Sequence, residues 1–194
     1  MQNRSKFLKN IAVLLLFTGQ FSPCLSQNQL YLIDSNRSEI AFQISHMAFL
    51  TVNGKFTDYE GNLSVHNGKL QSVDCKIIVQ SLDSNDKTRD ESLMDKAYLD
   101  AEIYPFILFS STKIVSNGNT SLISGILRIK NREKKVSIPY EFRFSKDRKE
   151  IQLRLATELN RKDFGLDFGP MDTLIGDNIT VDIEILGLAL PEKK

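Results

Sequence analysis

Side-chain chemistry needs ionisable or nucleophilic groups held close together, and few in this 194-residue chain are so spaced. The chain has two histidines, His46 and His66, and two cysteines, Cys24 and Cys75. A zinc site takes three or four Cys, His or acidic ligands, often close in sequence. No His-x-Glu, Cys-x-x-Cys or Asp-x-Asp-x-Asp-Gly spacing occurs, so no metal site is expected. Gly-x-Ser-x-Gly and Gly-rich phosphate loops are also missing from the sequence, and with them the nucleophile elbow and the phosphate cradle. Cys75 shares the parity of Val73 and Ile77 and reads as a small core residue. A reactive thiol would want a cationic, partly exposed setting. His66 stands beside Asn67-Gly68 and reads as a turn residue. His46 continues the alternation of Ile40, Phe42 and Ile44 and so shares their face. It is either a hydrogen-bonded structural histidine or a contact to the polar end of a bound molecule. In Arg161-Lys162-Asp163-Phe164-Gly165, Arg161 and Asp163 can pair locally or with Arg89-Asp90. That cluster is either an ion network or a cation for an anionic or polar end group. Carboxylates are plentiful, but nothing in their spacing marks an acid–base pair. The expectation is binding without catalysis, and no cofactor.

The elements that must position these residues have a period of two. Ile138, Tyr140, Phe142 and Phe144 fall on one face, with Pro139, Glu141 and Arg143 on the other. Ile151, Leu153, Leu155 and Leu159 repeat the pattern, as do Ile179, Val181, Ile183 and Ile185. Such alternation means strands with one dry and one wet face, which is the character of antiparallel sheet. Less regular strands are expected at 31–34, 54–65, 73–81, 106–115 and 122–130, and Pro139 predicts an edge, a bulge or a strand end. Turn residues separate several of them: His66-Asn67-Gly68, Ser116-Asn117-Gly118-Asn119 and Lys146-Asp147-Arg148. Many one-faced strands in one modest domain must hide their apolar faces. A closed barrel does so and removes the edges; a two-sheet sandwich is the competing solution. Residues 84–102 are charged instead, with Leu93, Met94, Ala97 and Tyr98 at helical spacing. One or two short helices are expected there, capped by Ser84 or Asp86 and placed to cover a barrel mouth.

Residues 1–26 read as a signal peptide. Arg4, Lys6 and Lys9 form a basic front, residues 11–17 an apolar run, and Gly19 and Pro23 break any helix. The run is far short of the roughly 20 residues of a membrane-spanning helix. Cleavage is expected after Ser26; the alternative is acylation at Cys24, which would tether the protein to a membrane. The protein is therefore expected to be periplasmic or secreted, with no integral membrane segment after cleavage. Residues 27–194 then form one domain, large enough to bury a core. The leader holds three of the 25 basic residues and none of the 24 acidic ones, so the mature charge is −2. That balance excludes a nucleic-acid partner. Cys75 alone would remain, so the domain stands without an intrachain disulfide.

The ordered motifs resemble the YceI family of exported lipid- or polyisoprenoid-binding proteins over nearly the whole mature chain. Tyr31-x-Ile33-Asp34 and Ser38-x-Ile40-x-Phe42-x-Ile44-x-His46 look like its opening strand pair. Val52-x-Gly54-x-Phe56, Gly61, Ser81-Leu82-Asp83-Ser84, Arg89-Asp90-x-x-Leu93 and Asp100 follow in order. So do Tyr104-Pro105-x-Ile107-x-Phe109-x-Ser111, Gly125-x-Leu127-x-Ile129 and Arg161-x-Asp163-Phe164-Gly165. Two departures are the charged hairpin 131–135 and Arg128, where Thr is common; both are read as lying outside the inward parity. The resemblance implies an all-β, extended, lipocalin-like barrel of eight antiparallel strands with a helical insertion over about 84–102. It implies a cavity that carries or sequesters a long-chain amphiphile, a polyisoprenoid or similar lipid, and it permits a homodimer. The expected lining is Phe42, Ile44, Phe56, Ile77, Ile107, Phe109, Leu127 and Ile129, with His46, Arg161 and Phe164 as further lipid contacts. The alternatives are an enzyme acting on such a lipid, with His46 or a carboxylate as base, and a filled barrel serving as a surface interaction or stress-response module.

Overall fold

A computed structural model describes residues 28–47, 49–117 and 120–191. The expected leader, Cys24 included, lies outside the described residues. The strands are β1 (Asn28–Ile33), β2 (Glu39–His46), β3 (Leu50–Phe56), β4 (Tyr59–His66), β5 (Lys69–Ile78) and β6 (Leu82–Asp83). They continue with β7 (Phe106–Asn117), β8 (Thr120–Ile129), β9 (Arg132–Phe144), β10 (Glu150–Asn160) and β11 (Ile175–Ala189). The helix α1 spans Lys87–Met94, inside the expected insertion, and is capped by Asp86, whose carboxylate accepts from the Arg89 amide. Ser84, the other expected cap, is instead a buried partner of Asp90 and Arg89. Among the described residues, no helix is long and apolar enough to cross a membrane.

All ladders are antiparallel, and the eleven strands make eight tracts around a closed barrel. β1 and β2 lie end to end along one edge of β11, β1 opposite 187–189 and β2 opposite 175–184. β4 and β3 run back along them, and β5 and β6 follow along β4 and β3. The strand expected over 54–65 is therefore broken, at Thr57-Asp58. That break lies level with the 3-10 turns Ser35–Arg37 and Val79–Ser81 in the neighbouring tracts. Side chains and backbone satisfy the interrupted ladder. Asp34 accepts from the Asn36 amide and from Arg37 Nε, and the Thr57 amide donates to the Ser81 carbonyl at 3.0 Å. The barrel wall bends along this line.

The period of two decides what lies inside. Tyr31, Leu63, Val65, Leu70, Ile123, Tyr140, Ile151, Leu153 and Ile185 pack into one buried cluster near the hairpins 67–68 and 145–149. This end is closed. Its Asn67-Gly68 hairpin has φ of 51° and 74°, the left-handed pair that a two-residue type I′ turn requires. The opposite end gathers the β2–β3 hairpin, the 84–105 insertion and the β10–β11 connection. Here the ladder opens. β9 pairs with β8 over 132–139 but with β10 only over 140–144. Pro139, which has no N–H to donate, stands where pairing to β10 stops. The 3-10 turn Arg161–Phe164 fills the seam, with Phe164 and Leu166 packed against Leu127, Ile129, Val136 and Leu159. The charged residues 132–135 are strand rather than hairpin. Arg132 and Lys134 share the parity of Val136 and Ile138, so they do not lie outside it. They reach past the rim to the Lys162 carbonyl and to Asp163. Arg128 faces outward, 3.8 Å from Glu133.

One buried cation holds the β10–β11 connection in place. Arg161 is 0% exposed and donates to the carbonyls of Leu166, Asp172, Ile175 and Gly176 and to the carboxylates of Asp172 and Asp177. The guanidinium fork suits this many-sided grip. Its hydrogen bond, and next the Phe168 amide, push the Asp172 carboxyl down to about 2. Arg161→Met should lower folding stability by about 3 kcal/mol, the low end for a broken buried pair because both carboxylates reach solvent. Chemical denaturation measures this. A folded pKa depressed below the ordinary 3.8 gives stability that is complete above that value and lost as pH falls toward 2. Thermal scans from pH 5 to pH 2 should therefore show a falling Tm. Asp172→Asn should flatten that fall, and an identical acid slope in the variant would remove Asp172 from the linkage.

Candidate functional site

Between the closed floor and the open end lies a cavity of about 400 Å³. Its wall is built from the inward positions of adjacent strands, so its apolar character follows from the alternation itself. β2 gives Phe42 and Ile44, β3 gives Val52 and Phe56, and β10 gives Leu155 and Leu159. β11 adds Ile179, Val181 and Ile183. The volume falls within the roughly 300–1,000 Å³ of small-molecule sites.

Glycines make room for the largest wall residues. Gly54 pairs directly with Phe42, and a Cβ there would stand inside the Phe42 ring. A Cβ on Gly125 would lie 2.6 Å from Phe109 Cζ. Both rings therefore lie flat against the wall instead of filling the lumen. Phe42 also packs on Phe56 with ring centroids 5.8 Å apart.

Polar groups are few and mostly engaged. Arg89 and Asp167 are the charged residues of the lining. Arg89 donates to the Ser84 hydroxyl and carbonyl at 2.8 Å each and stands 3.8 Å from Asp86, so it staples the start of the insertion. Cys75 lies in the wall, and burial pushes its thiol up to about 12. At neutral pH it is a protonated thiol and not a nucleophile. Among the described residues, no group of three or more His, Cys, Asp and Glu is placed to hold a metal ion. His46 ends β2 with its ring on the cavity, paired in register with Leu50 and Ile175. Its Nε2 is buried and has no hydrogen-bond partner. A buried polar atom left unpaired costs about 1–3 kcal/mol.

Two elements meet over the open end. Tyr98 of the insertion and Phe168 of the Arg161-held connection both touch the cavity, with ring centroids 5.3 Å apart. The Arg161 guanidinium lies 5.1 Å from the Phe168 ring on its other side. One arginine at the start of each element thus places one half of an aromatic contact above the lumen.

The structure brings together nine of the residues singled out in the sequence: Phe42, Ile44, His46, Phe56, Ile77, Ile107, Phe109, Leu127 and Ile129 line the cavity. Arg161 and Phe164 are placed elsewhere. Arg161 spends all its nitrogens on protein acceptors, and Phe164 is packed in the seam at 3% exposure. Arg161 pairs with Asp172 and Asp177, whereas Asp163 pairs with Lys134 and Asp90 with Ser84. The pairings expected among Arg161, Asp163, Arg89 and Asp90 therefore do not form, because the β10–β11 connection folds back over Arg161. Leu155, Ile179 and Val181 also line the cavity and were readable from their inward parity. Tyr98, Phe168 and Met171 were not, because they lie in aperiodic segments.

The YceI-like domain profile matches residues 31–186. A UPF0312 protein of Shewanella denitrificans is 29% identical over 169 residues, covering 81% of this chain and 86% of that protein. A UPF0312 protein of Vibrio campbellii is 31% identical over 117 residues, which is 58% of this chain and 62% of that protein. The match thus spans about three fifths of the length of the Vibrio relative. The fold is similar to Burkholderia cenocepacia BcnA, with a TM-score of 0.73 at 20% identity, covering 79% of this chain and 98% of that one. It is also similar to a polyisoprenoid binding domain from Saccharophagus degradans implicated in plant cell wall breakdown. There the TM-score is 0.65 at 14% identity, covering 82% of this chain and 98% of the other. The barrel topology and a profile match running from β1 into β11 lead to one conclusion: this chain belongs to the YceI-like domain family.

Proposed function

We propose that the barrel is a container for the tail of a long-chain amphiphile, of which a polyisoprenoid is the leading candidate. The observation that carries this reading is the cavity, closed at one end and walled by alternate apolar side chains from most strands of the barrel. Apolar surface leaves water at about 0.8 kcal/mol per methylene. Ten buried methylenes amount to about 8 kcal/mol before the cost of association, the scale of a micromolar Kd. Such a wall sorts ligands by length and girth more than by polar detail. The Saccharophagus degradans domain of similar fold is described as polyisoprenoid binding, which supports the same class of cargo. A wall thiol held protonated and a sparse polar lining favour holding a lipid over transforming it. The open lumen favours a container over a filled barrel. Export belongs to the same reading. The basic front and apolar run of residues 1–26 support a periplasmic or secreted carrier, or one tethered through Cys24.

Native mass spectrometry of protein secreted from its own host, followed by solvent extraction, should yield a stoichiometric long-chain amphiphile. A clean apo mass with no uptake of added isoprenoid or fatty amphiphiles would overturn the container. Phe109→Asp should abolish retention by placing a charge in the wall. Because that change also strains the fold, Ile44→Trp supplies the companion test. Its indole fills the lumen, so occupancy should drop about tenfold while Tm stays within a few degrees. Unchanged occupancy in both folded variants would remove these positions from the binding surface.

A further inference from the structure

Among the described residues, His46 Nε2 is the one buried side-chain polar atom without a hydrogen-bond partner. Its surroundings in the wall are apolar. Leu50 and Ile175 pair with it across the strands, and Ile44, Val52 and Ile179 form the next rung inward. Buried polar groups in folded proteins are nearly always satisfied, and an exception inside a binding cavity calls for a partner that the chain does not supply. Resting on the container reading, we infer that His46 seats the end group of the cargo, and that this end group is uncharged: a hydroxyl or a carbonyl.

The choice of an uncharged group follows from what else faces the lumen. A diphosphate or other multiply charged head needs Arg or Lys donors, with bidentate geometry for preference. Arg89, the cation of the lining, is held by Ser84 and Asp86, and the other charged residue, Asp167, would repel an anion. Arg161 has no donor to spare. A neutral imidazole offers one N–H and one acceptor nitrogen. A hydroxyl satisfies Nε2 in either tautomer, and a carbonyl satisfies it only when Nε2 carries the proton. The site also sets direction. His46 stands at the open end of β2, so the tail of a ligand anchored there runs past Ile44 and Phe42 toward the packed floor.

The test is a competition read by native mass spectrometry. The full mature chain is offered equimolar C20 isoprenoid alcohol, the aldehyde, the matched hydrocarbon and the diphosphate. Wild type should retain the alcohol about tenfold over the hydrocarbon, and the diphosphate no better than the hydrocarbon. Retention of the aldehyde alongside the alcohol assigns the proton to Nε2; retention of the alcohol alone assigns Nε2 as the acceptor. Either result supports the inference. His46→Phe should equalise alcohol and hydrocarbon while hydrocarbon uptake persists, and His46→Gln should restore part of the preference. Equal retention of alcohol and hydrocarbon by wild type, a preference that survives His46→Phe, or selection of the diphosphate overturns the role of His46 and leaves the container standing. Uptake of none of the four overturns the container and this inference with it.

Discussion

Closure of the sheet through β11 is the constraint on which the rest of the molecule depends. This strand pairs along one edge with β10 and along the other with β2 and then β1. With both edges of β11 taken, each tract presents one face to an enclosed lumen and one to water. Parity along each strand then becomes a statement about inside and outside. The same closure accounts for the kinked line through 34–38, 57–58 and 79–81. Three neighbouring tracts bend together because a break in one ladder must be matched in the next.

A closed barrel of eight tracts is small enough to fill itself with side chains. Here the floor does so and the other end does not. Ile151, Leu153, Leu63 and Ile123 are fully buried, whereas Leu155, Leu159, Ile179 and Val181, farther along the same strands, are only half-buried. The difference comes from how bulk is distributed. At the floor Tyr31 and Tyr140 cross the lumen and are covered. In the upper part the two large rings, Phe42 and Phe109, are drawn back against Gly54 and Gly125. Removing a Cβ from the wall thus opens the lumen as surely as removing a side chain from its centre.

The open end is held by charge, not by apolar packing alone. Arg89 ties the insertion to Ser84 and Asp86, and Arg161 ties the β10–β11 connection to four carbonyls and two carboxylates. Neither guanidinium is spent on the lumen. Between them they set Tyr98 against Phe168 above it. Connections without a repeating apolar pattern cannot be positioned by the hydrophobic effect, which has no direction. Directional hydrogen bonds from a planar cation can do so.

The sequence by itself determined the strands and their faces. Ile151, Leu153 and Leu155, or Ile179, Val181 and Ile183, alternate so strictly that antiparallel sheet, barrel class and inward face were legible from it. So were the Asn67-Gly68 turn, the insertion and nine wall residues, because each is encoded within a few consecutive positions. The tertiary structure alone decided the rest. Arg161 was legible as a cation of interest but not as a buried clamp, since its partners include carbonyls that converge only when residues 165–177 fold back. The interruption at Thr57-Asp58 was hidden because its hydrogen bonds come from Ser81 and Ile78 on another tract. A filled barrel and a hollow one share the same alternation. Which of the two forms depends on where rings meet glycines across strands, and that is a property of register and not of any single segment.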